Sequence, residues 1–283
     1  MLGAIEAGGT KCVLAVGPSP DCITARHTLP TLTPAATLNA AAQWFARQGT
    51  ITALGIGTFG PVELDRTSPN WGQITNTPKP GWQNCDIAGF FGKALDIPVA
   101  LDTDVNAAAI AEQAARPAAR ALAYITIGTG IGGGLVIEGE PVHGAAHPEM
   151  GHILVRRHPL DSDFPGICPH HGDCLEGLAC GPAIIARWGG SLSQLGGDHI
   201  AHEVIANYLA QLCHAVCALT AAEVIVLGGG VAKTPDLVTR IAARARAIDA
   251  GYLPGRRHHR IDPPHHGEDA GIIGAMMLAQ RCV

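Results

Sequence analysis

Residues 1–16 read MLGAIEAGGTKCVLAV, in which the glycine pair Gly8-Gly9 separates two apolar runs. Apolar runs on either side of a glycine turn predict two paired strands. Residues 121–137 repeat this plan, since two apolar runs there flank the glycine-rich stretch 128–133. We therefore predict that the protein contains two halves of related architecture, each opened by a strand pair.

The rest of the chain alternates between helix-like and strand-like segments. Helical patterns occur in residues 35–47, 86–95, 107–115, 182–188, 202–220, 236–247 and 269–278, and buried-strand patterns in 51–57, 99–101 and 224–227. Such alternation is typical of the α/β class. Residues 60–84 and 139–180 predict long loops, which in compact proteins are usually functional. The histidines of residues 258–266 lack neighbouring cysteines and predict a solvated loop.

Composition narrows the class of protein. The chain has 283 residues, of which 47% are hydrophobic and 15% charged, against about 25% charged in a typical domain. The low charge predicts a well-packed globular protein, and the net charge of −5 argues against general nucleic-acid binding. No run approaches the roughly 20 apolar residues that a membrane span requires. Because the chain enters a strand without a signal peptide's basic region and cleavage site, we expect a cytoplasmic location.

Four ligands for a soft metal lie close together in the sequence. The stretch Cys168-Pro-His-His171-Gly-Asp-Cys174 cannot form one helical face, because its proline and glycine break helical periodicity. With His152 upstream, its side chains form the two-sulfur, two-nitrogen set of a closed structural zinc site. His170 is an alternative third ligand, and an exposed histidine-rich loop without metal is the alternative to the whole site.

Four carboxylates stand near these features. Glu149 and Glu176 flank the predicted zinc loop, so a bound metal would hold them in a fixed relation suited to gripping a polyol. Asp102 and Asp104 lie between a predicted strand and a predicted helix. Either could cap that helix. A carboxylate at the carboxyl end of a strand in an α/β fold is also placed to accept a proton from a substrate hydroxyl.

Three glycine-rich turns follow predicted strands. Glycine lets backbone N–H groups approach an anion, so the first two turns are candidate phosphate sites, with an ordinary tight turn as the alternative. The third turn would let a flat ligand lie against the backbone, with close strand–helix packing as the alternative. The residues concerned are Gly8, Gly9, Thr10 and Lys11, then Gly128, Thr129 and Gly130, then Gly228, Gly229 and Gly230. The G-x-G-x-x-G spacing at 128–133 is not a dinucleotide fingerprint, because a strand rather than a helix follows it. No G-x-x-x-x-G-K-[ST] sequence occurs, which excludes a P-loop.

This order of turns, acidic strand end and zinc loop resembles the ROK family of sugar kinases, in the actin-like ATPase-fold superfamily, over essentially the whole chain. Residues 6–11 are similar to the family's first phosphate motif, 128–133 to its second and 228–230 to its adenosine motif. Glu6 replaces the family's usual aspartate, as in a bacterial fructokinase branch that the chain resembles closely.

The stretch between the second and third turns resembles the family's sugar and zinc signature. That loop usually carries three cysteines and one histidine, and His171 stands here where a cysteine is common, an exchange that zinc tolerates. The resemblance implies a two-domain actin-like (ribonuclease H-like) α/β fold with a zinc-binding loop. Its N-terminal domain would be 1–108 plus 270–283, and its C-terminal domain, with the zinc loop, 109–269.

By this resemblance the protein would be an ATP-dependent hexose kinase that makes fructose 6-phosphate. Asp104 would be the general base on the sugar hydroxyl, and Glu6 would act on Mg²⁺ through water. The sugar would be held by Gly60, Pro61, Asn106, Glu149, His152 and Glu176. ATP and Mg²⁺ would meet the glycine turns, and a structural Zn²⁺ would be bound by His152, Cys168, His171 and Cys174. A homodimer is expected.

Three alternatives stand beside this reading. The nearest keeps the mechanism and changes the sugar, to mannose or glucose. A non-catalytic, zinc-stabilised sugar-binding protein is the second. The third is a sugar-responsive repressor, a class that carries a helix-turn-helix domain before the first phosphate motif. The chain begins five residues before Glu6, which favours an enzyme over a repressor.

Overall fold

The computed structural model describes residues 1–255 and 259–283, which form two compact units. Unit 1 consists of Met1–Ala111, Pro141–His147 and Asp269–Val283, and unit 2 of Glu112–Glu140 and Pro148–Glu268. The short segment 141–147 therefore belongs with unit 1, although the chain on both sides of it belongs to unit 2.

Strands and helices alternate along the described residues, which confirms the predicted α/β class. The strands are β1 (Leu2–Ala7), β2 (Lys11–Gly17), β3 (Ala25–Pro30), β4 (Ala53–Thr58), β5 (Gln73–Ile74), β6 (Cys85–Asp86), β7 (Val99–Thr103), β8 (Ala121–Ile127), β9 (Ile131–Ile137), β10 (Glu140–Pro141), β11 (Val224–Gly228) and β12 (Arg260–Asp262). The α-helices are α1 (Pro34–Phe45), α2 (Ile87–Leu95), α3 (Asp104–Ala114), α4 (Leu175–Ala179), α5 (Gly181–Trp188), α6 (Ile200–Thr220), α7 (Leu237–Asp249) and α8 (Ala270–Gln280). None of the described helices is long and apolar enough to cross a membrane.

Each unit contains one five-stranded sheet, and the two sheets follow the same plan. The strand order is β3-β2-β1-β4-β7 in unit 1 and β10-β9-β8-β11-β12 in unit 2. In each sheet the first strand pair is antiparallel, β1 with β2 and β8 with β9, and the following strands are parallel. The repeated architecture predicted from residues 1–16 and 121–137 is therefore confirmed.

The sheet of unit 1 is buried on both faces. Phe45 of α1 and Phe91 of α2 belong to the core cluster on one side, together with the buried Trp82. On the other side, Ile272 and Met276 of α8 pack into a cluster with small residues of β1, β2 and β4. The last helix, α8, therefore covers one face of the sheet that the first strands of the chain form.

Local hydrogen bonding explains where two predicted boundaries were wrong. Helix α3 begins at Asp104 rather than at residue 107, because the Thr103 hydroxyl accepts from the Asn106 backbone N–H at 3.1 Å and caps the first turn. The capping role considered for Asp102 or Asp104 is therefore filled by Thr103. Strand β9 begins at Ile131 rather than at residue 134, because residues 131–133 pair with Ile127, Thr126 and Ile125 of β8, so the second glycine turn spans only 128–130.

The predicted loops contain more regular structure than their composition indicated. The 60–84 stretch includes β5, which pairs with β6, and helix α4 closes the 139–180 stretch. The prediction of a solvated loop for 258–266 is wrong in part. Its middle forms β12, and the backbone N–H groups of His265 and His266 donate to the buried carboxylate of Glu112 at 2.8 and 2.9 Å. His258 lies outside the described residues.

Candidate active site

Three predicted site segments of unit 1 follow strands that end in register. Ala7 of β1 lies beside Thr58 of β4, and Thr58 lies beside Thr103 of β7. Because these strands are parallel, the segments after them leave the sheet at one edge. The first glycine turn follows β1, Gly60-Pro61 follows β4, and Asp104 follows β7. The fold therefore brings together a candidate phosphate turn, a candidate sugar loop and the candidate base.

The first glycine turn is held by the rest of unit 1. The Gly8 N–H donates to the Lys11 carbonyl at 2.9 Å across the turn, and the Thr31 hydroxyl donates to the Gly8 carbonyl at 2.8 Å. Lys79 Nζ donates to the Gly9 carbonyl at 2.6 Å. Sequence reasoning missed Lys79, whose only local signal was a cation between two prolines in a long loop. Its ammonium adds positive charge at a turn suited to an anion.

A buried polar cluster lies at the start of α3. Asp102 Oδ1 accepts from the Thr103 N–H and from Asn106 Nδ2, both at 2.7 Å. Asn106 is fully buried, and its Oδ1 has no hydrogen-bond partner among the described residues. Asp104 Oδ1 accepts from the Val105 N–H at 2.9 Å, which fixes its carboxylate at the helix start. Asn106 thus offers an acceptor that a sugar hydroxyl would satisfy.

Gly60 and Glu6, two further predicted site residues of unit 1, make close contacts with their surroundings. A Cβ added at Gly60 would lie 3.2 Å from the His147 ring, so the sugar loop packs directly on that histidine. Glu6 lies against the first turn of α8, since a Cβ at Gly271 would lie 2.5 Å from its Cδ. Glycine at position 271 therefore makes room for the Glu6 side chain.

The four predicted zinc ligands come together in unit 2. One ligand atom from each of His152, Cys168, His171 and Cys174 lies within 4.8 Å of all the others. His152 Nδ1 is 3.8 Å from Cys168 Sγ and 3.5 Å from Cys174 Sγ, and His171 Nδ1 is 3.7 Å from Cys168 Sγ. A tetrahedral zinc ion with ordinary bond lengths separates its sulfur and nitrogen ligands by about 3.6 Å. The donor set and its spacing therefore fit zinc, and His170 is not part of the cluster.

The protonation state of one cluster residue, Cys174, depends on whether a cation is bound. Burial raises the pKa of the Cys174 thiol to about 11 in the chain alone. A thiol with that pKa keeps its proton at neutral pH, whereas a zinc ligand must be a thiolate. Metal binding must therefore displace a proton from the Cys174 thiol.

His152 and Glu176 connect the metal cluster to the second glycine turn. The Nδ1 of His152 faces the two sulfurs, while its Nε2 lies 3.9 Å from Glu176 Oε1. Glu176 Oε2 accepts from the Ile131 N–H at 2.8 Å, and a Cβ at Gly130 would lie 2.6 Å from that oxygen. Gly151, between Glu149 and His152, lies so close to β9 that a Cβ would reach 1.9 Å from the Ile131 carbonyl oxygen. The short segment that follows Glu149 therefore packs against β9.

The second and third glycine turns are neighbours in unit 2. Both follow parallel strands, β8 and β11, and the Val231 N–H donates to the Ile127 carbonyl at 3.0 Å. Gly229 has a φ of 88° and lies so close to Ile127 that a Cβ would reach 2.4 Å from its carbonyl oxygen. A side chain at 229 would be strained and would clash. Gly228 is similarly constrained by Tyr124.

Comparison with known proteins places the chain in a family. A sequence model described as "ROK family" matches residues 2–282. The fructokinase of Zymomonas mobilis is 43% identical over 287 residues, covering 98% of this chain and 95% of that protein. A putative fructokinase of Bacillus subtilis is also 43% identical, covering 100% of this chain and 96% of that protein. The crystal structure of a ROK hexokinase from Thermus thermophilus has a TM-score of 0.81 at 26% identity, covering 99% of this chain and 98% of that one.

The family match covers nearly every described residue, and the likeness to the hexokinase confirms the predicted actin-like ATPase fold. Together with the repeated sheets and the three glycine turns at strand ends, these findings show that this chain belongs to the ROK family.

Proposed function

We propose that the protein is a fructokinase, which transfers the γ-phosphoryl group of ATP to a hydroxyl of fructose and forms fructose 6-phosphate. The observation that carries this proposal is the likeness to five proteins named fructokinase or putative fructokinase. They are 37–43% identical to this chain and span 89–100% of it. A hexose kinase needs positioned hydroxyls, phosphate-binding turns and one base, and each of these has a candidate in the chain.

Asp104 is the proposed general base. It follows the sheet edge of unit 1, and its backbone hydrogen bond fixes one oxygen, so the carboxylate is presented at a defined place. In phosphoryl transfer the base orients the attacking hydroxyl and accepts its proton as the new P–O bond forms. Asn106 is the proposed partner of a second sugar hydroxyl, because its buried Oδ1 needs a donor.

Glu149, His152 and Glu176 are the proposed sugar residues of unit 2. A structural zinc ion is the proposed support of this group: His152 would bind the ion through Nδ1 and keep Nε2 for a hydroxyl. Zinc fits the cluster because two sulfurs and two nitrogens fill all four of its positions. The ion would fix the geometry of the sugar residues and would take no part in phosphoryl transfer.

The glycine turns are the proposed phosphate and nucleotide sites. Backbone N–H groups at such turns bind phosphate oxygens, and the Mg²⁺ that accompanies ATP offsets their remaining charge. Glu6 is proposed to act on that ion through a water molecule, since Mg²⁺ usually keeps several of its waters when it binds. A homodimer and a cytoplasmic location remain predictions of the same proposal.

The substrate assignment is tested by steady-state turnover. We expect Mg²⁺-dependent ATP turnover with fructose, mannose, glucose and N-acetylated hexosamines to give the highest kcat/KM for fructose. A higher kcat/KM for another hexose would keep the kinase mechanism and overturn fructose as the substrate. No turnover with any of them, in a sample that binds fructose, would instead support a sugar-binding protein.

Lys79 is expected to strengthen ATP use. Replacing it with methionine should lower kcat/KM for ATP by about tenfold to a hundredfold, the usual value of one charged hydrogen bond. Fructose affinity should not change, since the ammonium lies at the first glycine turn. The matched control is Lys93→Met in the last turn of α2, where the lysine is exposed. Equal kcat/KM for ATP in both variants would remove Lys79 from the phosphate site.

A further inference from the structure

A histidine outside all the motifs, His143, lies against the carboxylate of Asp102 in unit 1. Its Nε2 is 3.0 Å from Asp102 Oδ2, and the side chains of His143 and Asp102 are 36% and 3% exposed. Since a carboxylate can only accept, Nε2 carries the proton and donates it to this hydrogen bond. The bond to Asp102 raises the pKa of His143, and partial burial opposes that rise.

His143 Nε2 also lies 3.3 Å from Asn106 Nδ2, but since both nitrogens carry protons, the hydrogen-bonded link between the two residues runs through the Asp102 carboxylate. Its other oxygen, Oδ1, accepts from Asn106 Nδ2 at 2.7 Å. Only the amide NH₂ group can face a carboxylate oxygen, so the contact decides which way the amide is turned. Asn106 Oδ1 must then point away from Asp102, and it is the buried oxygen that has no partner among the described residues. The orientation of this acceptor thus depends on how firmly Asp102 is held.

We propose that His143 is a positioning residue for the hexose, which it serves by holding Asp102 and, through it, the Asn106 amide. The inference rests on the proposed function, because it takes the ligand of Asn106 Oδ1 to be a sugar hydroxyl. Without the His143 donor, the Asp102 carboxylate loses one of its fixed hydrogen bonds and the amide gains freedom to turn. Removing the donor should therefore weaken sugar binding and leave kcat unchanged, since neither His143 nor Asp102 is assigned to the phosphoryl transfer.

The surroundings of His143 support a role in the sugar site. The residues 141–147 belong to unit 1, and a second histidine of that segment, His147, accepts from the Val62 N–H at 3.2 Å. Val62 follows Gly60-Pro61, the proposed sugar loop. One short segment therefore fixes both groups of unit 1 that are proposed to meet the hexose.

The test compares variants that differ in the donor at position 143. His143→Phe keeps a ring and removes the donor, whereas His143→Gln keeps an N–H of similar reach. We expect the phenylalanine variant to raise KM for fructose about tenfold, the size of one buried hydrogen bond. The values of kcat and of KM for ATP should stay within about twofold. The glutamine variant should recover most of the loss.

His27→Phe is the matched control, because His27 is an exposed histidine of β3 in the same unit. Calorimetric fructose binding without ATP should show the same order of affinities as KM. Should the phenylalanine variant fail to fold, the comparison of His143→Ala with His143→Gln gives the same contrast. Unchanged KM for fructose in the donor-free variant, with active wild-type enzyme, would overturn the positioning role alone. A wild-type protein that neither binds nor phosphorylates a hexose would overturn both proposals.

Discussion

Replacing Asp104 with asparagine is expected to lower kcat by about 10²–10⁴-fold, the usual contribution of a general base. An asparagine can still accept from the Val105 N–H at the start of α3, so the fold and the geometry of the helix end should be retained. What it cannot do is take the proton from the attacking hydroxyl. Hexose affinity should change by less than about threefold, because the asparagine amide keeps an oxygen that can accept from the sugar hydroxyl.

The measurement is kcat with fructose and ATP, together with fructose binding by calorimetry in the absence of ATP. Asp96→Asn is a suitable control, since Asp96 is exposed in the same unit and has a φ of 53°, a conformation that asparagine adopts readily. We expect wild-type kcat from that control. An Asp104→Asn enzyme with kcat within tenfold of wild type would show that another group is the base.

Removing the proposed zinc is the second change with a large expected effect. Chelation should lower the melting temperature by roughly 10 °C or more and abolish fructose binding. The stretch between His152 and Cys174 lies outside the named helices and strands, and a bound metal would join its two ends at the cluster. His152 and Glu176, at its two ends, would lose their fixed relation, and both are proposed sugar residues.

Elemental analysis of the purified protein should give one zinc per chain, and re-addition of zinc should restore both the melting temperature and the turnover. Cys174→Ser should reproduce the effect of the chelator, whereas Cys22→Ser, at an exposed thiol, should not. If a metal-free sample kept its melting temperature and its turnover, the structural role of zinc would be excluded.

The sequence predicted those parts of the fold that depend on local pattern. Strand β8 was predicted with the observed bounds because its apolar run is ended by glycine. Strand β3 was missed, since most of its side chains are exposed and it lies at the edge of the sheet, where it pairs with β2. The start of α3 was misplaced because alanine composition marks a helix interior, while the Thr103 hydroxyl that caps this helix marks its beginning.

The candidate site shows the same division. Glycine turns, the zinc ligands and Asp104 lie in short motifs, and their residue types disclose their chemistry. Lys79 and His143 do not, because each acquires its partner only through folding. Seventy residues separate Lys79 from Gly9 along the chain, and forty-one separate His143 from Asp102. Single residues in such pairs carry no pattern of their own, and only the structure joins them.

Helix α8 determines when the sheet of unit 1 can be covered during synthesis of the chain. Its residues cover one face of the sheet that contains β1 and β4. That face therefore stays exposed while the ribosome makes the chain between β4 and α8. At about 5–20 residues per second, the delay between the end of β4 and the end of α8 is roughly 10–45 s. During that time the nascent chain exposes an apolar sheet surface, which is the kind of surface that holdase chaperones bind.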